Sequence, residues 1–223
     1  QLDLFLHAIF SAPLFKGALL TIGLSLCVMA VSLVLGMGLG SMAGSPRPAL
    51  RWLVTLYVWL FRGAPALLVL LFVWNGLPQI SEIFRAGWFT PFVAAFLALS
   101  LIQIAYLAEI LRSAFAAVGH GQREGAAALG LHRWQIFLVI TMPQALRIAV
   151  PALMNEFISL LKTTSLATVI SLKELMTVSQ FAIATSFRFL EWYGAALVYY
   201  LVIVSVLTLA QNRIEHVLSR GYR

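Results

Sequence analysis

The sequence predicts an all-α, polytopic membrane protein with five transmembrane helices. Of its 223 residues, 61% are hydrophobic and only 10% are charged, whereas soluble domains carry about a quarter charged residues. The apolar residues fall into runs of about 20, the length that crosses a bilayer core as a helix. Charged or turn-forming residues separate these runs. The composition therefore argues against an ordinary water-soluble domain.

Five apolar segments are predicted to span the membrane within a single domain of residues 1–223. They lie at 17–44, 53–77, 86–108, 145–163 and 192–210. A surface helix over residues 1–16 precedes them, and a helix at about 172–187 is expected to lie along the far surface. The second segment is interrupted at Arg62-Gly63-Ala64-Pro65. Residues 113–143 are too polar for a further span.

The distribution of basic residues predicts the N-terminus outside and the C-terminus inside the cell. With this orientation the inner segments hold nine arginines, against four basic residues outside, as cytoplasmic loops of membrane proteins require. The nine are Arg47, Arg51, Arg112, Arg123, Arg133, Arg147, Arg213, Arg220 and Arg223, and the four are Lys16, Arg85, Lys173 and Arg188. Residues 113–143 then face the cytoplasm.

Small residues predict how the helices pack. Gly36, Gly40 and Gly44 recur at every fourth position and form a smooth face that another helix can approach closely. Cys27, the single cysteine, is expected to be a small buried side chain, because one thiol cannot form an internal disulfide. No internal repeat is found, so a second copy or a paralogue is expected to complete any pathway.

Several function classes are disfavoured by the residues present. The net charge of +7 is spread between apolar runs, which indicates membrane topology rather than nucleic-acid binding. The histidines lack ligand spacing, so no metal is expected. No Gly-x-x-x-x-Gly-Lys-Ser/Thr loop is present, so the chain is not expected to bind ATP or to act as an enzyme. A secondary transporter or channel subunit is the alternative to an ATP-driven transporter.

The cytoplasmic segment contains a spaced motif. Glu124-Gly125-Ala126 is followed by Gly130 at the fourth position beyond it, and then by Ile140-Thr141-Met142-Pro143. This pattern resembles the EAA loop of ABC importer permeases, with Gly125 in place of alanine and Met142 in place of leucine. Segments such as Arg62-Gly63-Ala64-Pro65 and Tyr106-Leu107-Ala108-Glu109 are similar to the polar amino acid branch. The resemblance covers most of the chain.

The resemblance implies a set of partners in the bacterial cytoplasmic membrane. These are a second permease subunit, identical or paralogous, two cytoplasmic ATPase subunits that carry ATP and Mg²⁺, and a soluble binding protein that delivers an amino acid. No cofactor is expected on this chain. The residues expected to couple to the ATPases are Arg123, Glu124, Gly125, Ala126, Gly130, Ile140 and Pro143.

Polar residues interrupt the fourth segment and predict a substrate path. Asn155, Ser159 and Lys162 share one helix face, and Glu156, Ser159 and Thr163 form a row on its flank. Charged residues within a span usually face a protein interior or a wet cavity. The alternatives are interhelical pairing, snorkelling of Lys162 and a structural role for Arg62 beside the broken helix. The predicted path residues are Arg62, Asn155, Glu156, Ser159, Lys162, Thr163, Thr164 and Ser165.

Overall fold

The computed structural model describes residues 2–219, and these are helical with no strand among them. α1 comprises Leu2–Ile9, α2 Ala12–Ala43, α3 Pro48–Gly63, α4 Ala66–Leu71, α5 Leu77–Ile80 and α6 Pro91–Ala116. α7 comprises His120–Ala128, α8 Arg133–Gln135, α9 Met142–Thr163, α10 Leu175–Ser186 and α11 Phe189–Ser219. Shorter turns connect several of these helices. They are π-helical at Phe72–Gly76 and Ile136–Thr141, and 3₁₀ at Glu82–Arg85 and Thr164–Ile170.

The predicted fold class is confirmed. Four helical stretches are long and apolar enough to cross a membrane, namely Ala12–Ala43, Pro91–Ala116, Arg133–Ile170 and Phe189–Leu218. The pair Pro48–Gly63 and Ala66–Ile80 would make a fifth span, although the two parts meet at an angle of 102°. Pro65 explains this bend, because it lacks a backbone N–H and holds Ala64 before it in an extended conformation, with ψ of 134°.

Several helix boundaries differ from the sequence prediction, and two of them have a clear local cause. The helix predicted over residues 1–16 ends at Ile9, and residues 12–16 already belong to α2, which begins with Pro13 in its first turn. The proline starts a new helix because its missing N–H has no partner in a first turn anyway. α6 continues beyond residue 108 to Ala116. Its charges do not end it, because Glu109 and Arg112 pair along one face, with Arg112 Nε 3.1 Å from Glu109 Oε2.

α2 and α6 pack side by side at the centre of the bundle. A Cβ on Gly40 would lie 2.9 Å from the carbonyl oxygen of Ala108, and one on Gly36 would lie 3.1 Å from Leu107 Cβ. These two glycines therefore confirm the predicted close approach, since any side chain there would push the helices apart. Gly44 takes no part in this close approach. It lies just beyond the end of α2, and a Cβ there would be near only the carbonyl oxygen of Ser41, which belongs to α2 itself.

The bundle has two distinct ends, named here for the helices they carry. At the α10 end, α1 and α10 lie against α11 and the beginning of α2, where a Cβ on Gly17 would be 3.0 Å from Leu175 Cα. At the α7 end, α7 follows α6 and packs on the π-helical turn Ile136–Thr141. The polar residues of α9 lie between the two ends.

Candidate functional site

A polar cavity opens between α4, α6 and α9. Its volume is about 200 Å³. Its walls are Ala64, Ala66, Leu99, Ile102, Gln103, Tyr106, Glu156, Ser159, Leu160 and Thr163. Three predicted path residues, Glu156, Ser159 and Thr163, are thus brought together, because spacings of three and four residues place them on one face of α9. The bend at Ala64 contributes the opposite wall.

Glu156 is the acidic group of this cavity and is half-buried. The Gln103 side chain approaches its carboxyl group from α6, yet Gln103 Nε2 has no hydrogen bond of ordinary geometry within residues 2–219. The contact therefore lies outside ordinary hydrogen-bond geometry, and the amide is left able to donate to a bound molecule. Gln103 itself is only 3% exposed, and a buried amide donor without a partner is costly.

Arg62 is the basic group beside the same cavity. Its guanidinium lies over the ring of Tyr106, 5.3 Å from the ring centre, which is a cation–π distance. It is also close enough to act electrostatically on both Glu109 and Glu156. Because Arg62 is exposed at the end of α3, its charge can reach the mouth of the cavity.

The other predicted path residues do not line the cavity. Asn155 points toward α11, where Gln211 Nε2 donates to its Oδ1 at 3.2 Å. Lys162 is exposed. Thr164 is completely buried and donates to the Leu161 carbonyl oxygen at 2.7 Å. Ser165 donates to the Lys162 carbonyl oxygen at 2.7 Å, so these two hydroxyls bond to their own helix.

Two lining residues with polar side chains, Gln103 and Tyr106, were not among those predicted from the sequence. The signal for Gln103 was present, since it is a polar amide within an apolar segment and the argument applied to the fourth segment would have selected it. Tyr106 carries no such signal. An aromatic residue is common in any transmembrane helix, and its place under Arg62 depends on how α3 and α6 pack.

The α7 end carries the residues predicted to couple to an ATPase. On α7 itself, Ala126 is buried, while Glu124 and Gly125 are exposed, with open space where a Cβ of Gly125 would be. Arg123 is half-buried and donates to the Val118 carbonyl oxygen at 2.8 Å. Gly130 follows the helix with φ of 83°, a conformation that favours glycine and ends helices.

The two later motif residues, Ile140 and Pro143, lie where the loop returns into the bundle. Ile140 belongs to the π-helical turn, and Pro143 is exposed in the first turn of α9. Gln144 bonds both to the Ile140 carbonyl oxygen, at 3.0 Å, and to Gln122 of α7. This side chain links α7 directly to α9, the helix that lines the cavity.

An open groove of about 480 Å³ runs along α7. Its lining residues are His120, Arg123, Glu124, Ala127, Arg133, Ile136, Phe137 and Thr141. Charged residues therefore surround an apolar floor, an arrangement typical of protein-binding surfaces. In the part of the chain that the structure describes, no group of three histidine, cysteine or acidic residues is placed to hold a metal ion.

The chain is similar to known membrane transport proteins. A family model described as "Binding-protein-dependent transport system inner membrane component" matches residues 36–223. The probable amino-acid permease protein YxeN of Bacillus subtilis is 33% identical over 204 residues, 92% of this chain and 90% of that protein. The glutamine transport system permease protein GlnP of Escherichia coli is 35% identical over 206 residues, 91% of each. A crystal structure of an amino acid ABC transporter with histidines superposes with a TM-score of 0.83 at 28% identity, covering 92% of this chain and 93% of that one.

Proposed function

We propose that this chain, which belongs to the family of binding-protein-dependent transport system inner membrane components, forms a pore for a polar amino acid. It is the permease subunit of an ABC importer and a multi-pass protein of the inner membrane. This membership disfavours a secondary transporter or a channel. The amino acids named in its relatives support a polar amino acid as the substrate. The main structural support is the polar cavity between α4, α6 and α9.

The chemistry of the cavity suits a zwitterion. An amino acid presents an ammonium and a carboxylate on one carbon atom, and the cavity has the Glu156 carboxylate on α9 with the Arg62 guanidinium near its mouth. Each charge can pair with its opposite, and the pair with half-buried Glu156 is stronger than one in bulk water. Gln103, Ser159 and Thr163 would bond to the remaining polar atoms.

The remaining path residues fit a passage shared by two permease chains. Asn155 and Lys162 lie on the exposed side of α9, outside the cavity of a single chain. Thr164 and Ser165 shape the turn that follows Thr163 by bonding to their own backbone. A second chain, identical or paralogous, would enclose the exposed side, so Lys162 and the exposed part of Asn155 would border the path only in the pair, while Thr164 and Ser165 would only hold the turn.

The α7 end is proposed to face the cytoplasm and to receive the ATPase, with both termini placed as the basic residues indicate. α7 is short, has small side chains around Gly125 and is bordered by Arg123 and Glu124, so it can seat in a groove of a partner. ATP and Mg²⁺ would be bound by the ATPase subunits, because this sequence has no phosphate-binding loop. A soluble binding protein would deliver the substrate at the α10 end.

Reconstitution tests the proposed cargo. The chain would be purified with the ATPase and binding protein of its own importer, inserted into liposomes, and supplied with labelled arginine, glutamine, glutamate and, as an apolar comparison, leucine. ATP-dependent accumulation of at least one polar amino acid, with little leucine, is expected. Uptake of none of the three polar amino acids by a complex that hydrolyses ATP would refute this cargo.

A further inference from the structure

Glu174 carries a completely buried carboxylate at the beginning of α10. Oε1 accepts hydrogen bonds from the backbone N–H of Thr177, at 2.7 Å, and from its hydroxyl, at 2.9 Å. Oε2 accepts from the backbone N–H of Met176, at 2.9 Å, and from the hydroxyl of Tyr200, at 3.3 Å. Burial raises the pKa of this carboxyl, and the four hydrogen bonds from neutral donors offset only part of the rise.

This carboxylate joins the beginning of α10 to α11, because Tyr200 belongs to α11. Beside it, α10 is also bonded to α2: the Thr21 hydroxyl accepts from the backbone N–H of Leu175, the first residue of α10, at 3.3 Å. Glu174 and the adjacent Leu175 thus hold the beginning of α10 against both neighbours through buried polar bonds, which are stronger in an apolar surrounding than in water.

α10 is connected to the cavity through the 3₁₀ turn Thr164–Ile170. The hydroxyl of Thr168 in this turn donates to Gln180 Oε1 of α10 at 2.7 Å. The turn begins immediately after Thr163, a wall of the cavity, and it packs against α4 and α6, which form the other walls. A displacement of α10 would therefore move the 3₁₀ turn and, with it, the cavity wall formed by Thr163.

We propose that Glu174 is a positioning residue for transport: by tying the beginning of α10 to α11, beside the contact of α10 with α2, it holds the 3₁₀ turn and Thr163 in place at the α10 end of the cavity. It does not touch the cavity itself. The inference rests on the proposed role of the cavity in transport. It goes beyond that role by assigning to Glu174, a residue outside the cavity, the maintenance of the geometry of the cavity.

Replacing Glu174 with glutamine tests these hydrogen bonds with little change in side-chain shape. The two side chains have the same shape, but one carboxylate oxygen becomes an NH₂ group, which donates. Each oxygen of Glu174 faces one backbone N–H, that of Thr177 or that of Met176. Whichever way the amide is turned, one backbone donor loses its acceptor, and a buried donor without an acceptor is strongly destabilising.

The experiment measures the exposure of Thr163 directly. In the complete importer, Cys27 is replaced by serine and Thr163→Cys is introduced, and its labelling by a water-soluble maleimide is followed with time. Glu174→Gln is expected to raise the labelling rate about tenfold, since one lost buried acceptor shifts a local equilibrium by about this factor. Tyr199→Phe is the matched control, because Tyr199 is also on α11 but bonds to the Ile9 carbonyl oxygen of α1, at 2.8 Å.

A second reporter separates positioning from loss of folding. Ser32→Cys lies in the middle of α2 and is completely buried, so its labelling rises only if the whole bundle loosens. The inference is overturned if Glu174→Gln leaves Thr163→Cys unchanged, or raises both reporters equally. If Glu174→Gln does not accumulate, Tyr200→Phe, which removes one of the four donors, is expected to raise the labelling of Thr163→Cys about threefold and that of Ser32→Cys not at all. Equal labelling of Thr163→Cys in Tyr200→Phe and Tyr199→Phe would also contradict the inference.

Because labelling needs no substrate, it is independent of the cargo. An importer that carries a different cargo would contradict the proposed function and leave the labelling result intact. Uptake measured on the same Glu174→Gln complex then tests the link to transport. The concentration of loaded binding protein that gives half-maximal uptake should change, and basal ATP hydrolysis should not.

Discussion

Neighbouring residues on α9 have different surroundings. Glu156 faces the cavity, whereas Asn155 faces α11 and bonds to Gln211. Consecutive residues on a helix are about 100° apart around its axis, so one step along the chain is enough to turn a side chain from a cavity to a neighbouring helix. A polar residue within a span is therefore only a candidate for the path, and its direction decides its role.

Replacing Glu156 with glutamine should change which substrates are carried. The variant keeps the shape and hydrogen bonding but removes the charge, and a hydrogen bond to a charged group contributes about 1.5–3 kcal/mol. Uptake of arginine should fall by at least about tenfold at low concentration, and uptake of glutamate should fall least. Parallel uptake assays in liposomes measure this, with Glu82→Gln, an exposed acid outside the cavity, as the control. An unchanged substrate profile in an intact complex would remove Glu156 from the site.

Two elements show how small residues determine helix contacts. α2 meets α6 through Gly36 and Gly40, where no side chain can be accommodated, while the space beside Gly38 is open. α7 keeps Gly125 exposed and buries Ala126, so this short helix has a narrow outer face. In both elements the absence of a side chain permits close contact with a neighbour, within the chain for α2 and with a proposed partner for α7.

Gly40→Leu should destabilise the bundle. A side chain there would meet the Ala108 carbonyl oxygen, which belongs to a rigid helix backbone, and overpacking of this kind costs about 1–3 kcal/mol. Thermal unfolding in detergent, followed by size-exclusion chromatography, should show a lower midpoint for Gly40→Leu. Gly38→Leu adds the same side chain two residues away into open space and should unfold near the wild-type temperature. Equal midpoints for the two variants would contradict the importance of this contact.

Glu124→Lys should weaken coupling to the ATPase. The substitution reverses an exposed charge on the border of the groove along α7, and a like charge opposite a complementary surface is repulsive. Co-purification of the ATPase and ATP-dependent uptake should both fall about tenfold or more, while membrane insertion is unaffected. Glu82→Lys makes the same charge change far from α7 and should leave coupling intact. Normal uptake by a well-expressed Glu124→Lys protein would refute the docking role.

At the scale of the whole molecule, the single chain has large apolar surfaces. α11 carries exposed leucine and valine side chains along much of its length, and exposed apolar residues also line α2 and α3. Lipid can cover such surfaces as well as a protein can, so exposure alone does not say which of them meets a second chain. The cavity, however, is small, and polar Lys162 lies outside it, which favours a path completed by a partner.

The chain purified alone should therefore not transport. The active assembly is expected to contain two permease chains and two ATPases, and its mass can be measured by light scattering or native mass spectrometry. Liposomes that contain only this chain should show no substrate accumulation, and adding the ATPase, binding protein and any paralogous permease should restore it. Transport by a reconstituted single chain would falsify the need for a pair.

The sequence alone determined the helical, membrane-spanning fold class, and it predicts the position of a coupling loop. Hydrophobic runs and the spacing from Glu124 to Pro143 are local properties, and a bilayer imposes a minimum length on each span. Helix ends were less well predicted, because Pro13 begins a new helix and the pair Glu109–Arg112 continues an old one. These details depend on backbone hydrogen bonding and on pairs across a helix turn.

Only the tertiary structure decided which faces meet. Cys27, expected to be buried, is exposed, and Gln103, not selected from the sequence, is buried in the cavity wall. Glu174 was one acid among eight in the sequence, yet its buried carboxylate joins α10 to α11. The physical reason is that lipid is as apolar as a protein core. Hydropathy therefore locates a transmembrane helix without showing which side of it faces lipid, a neighbouring helix or the substrate path.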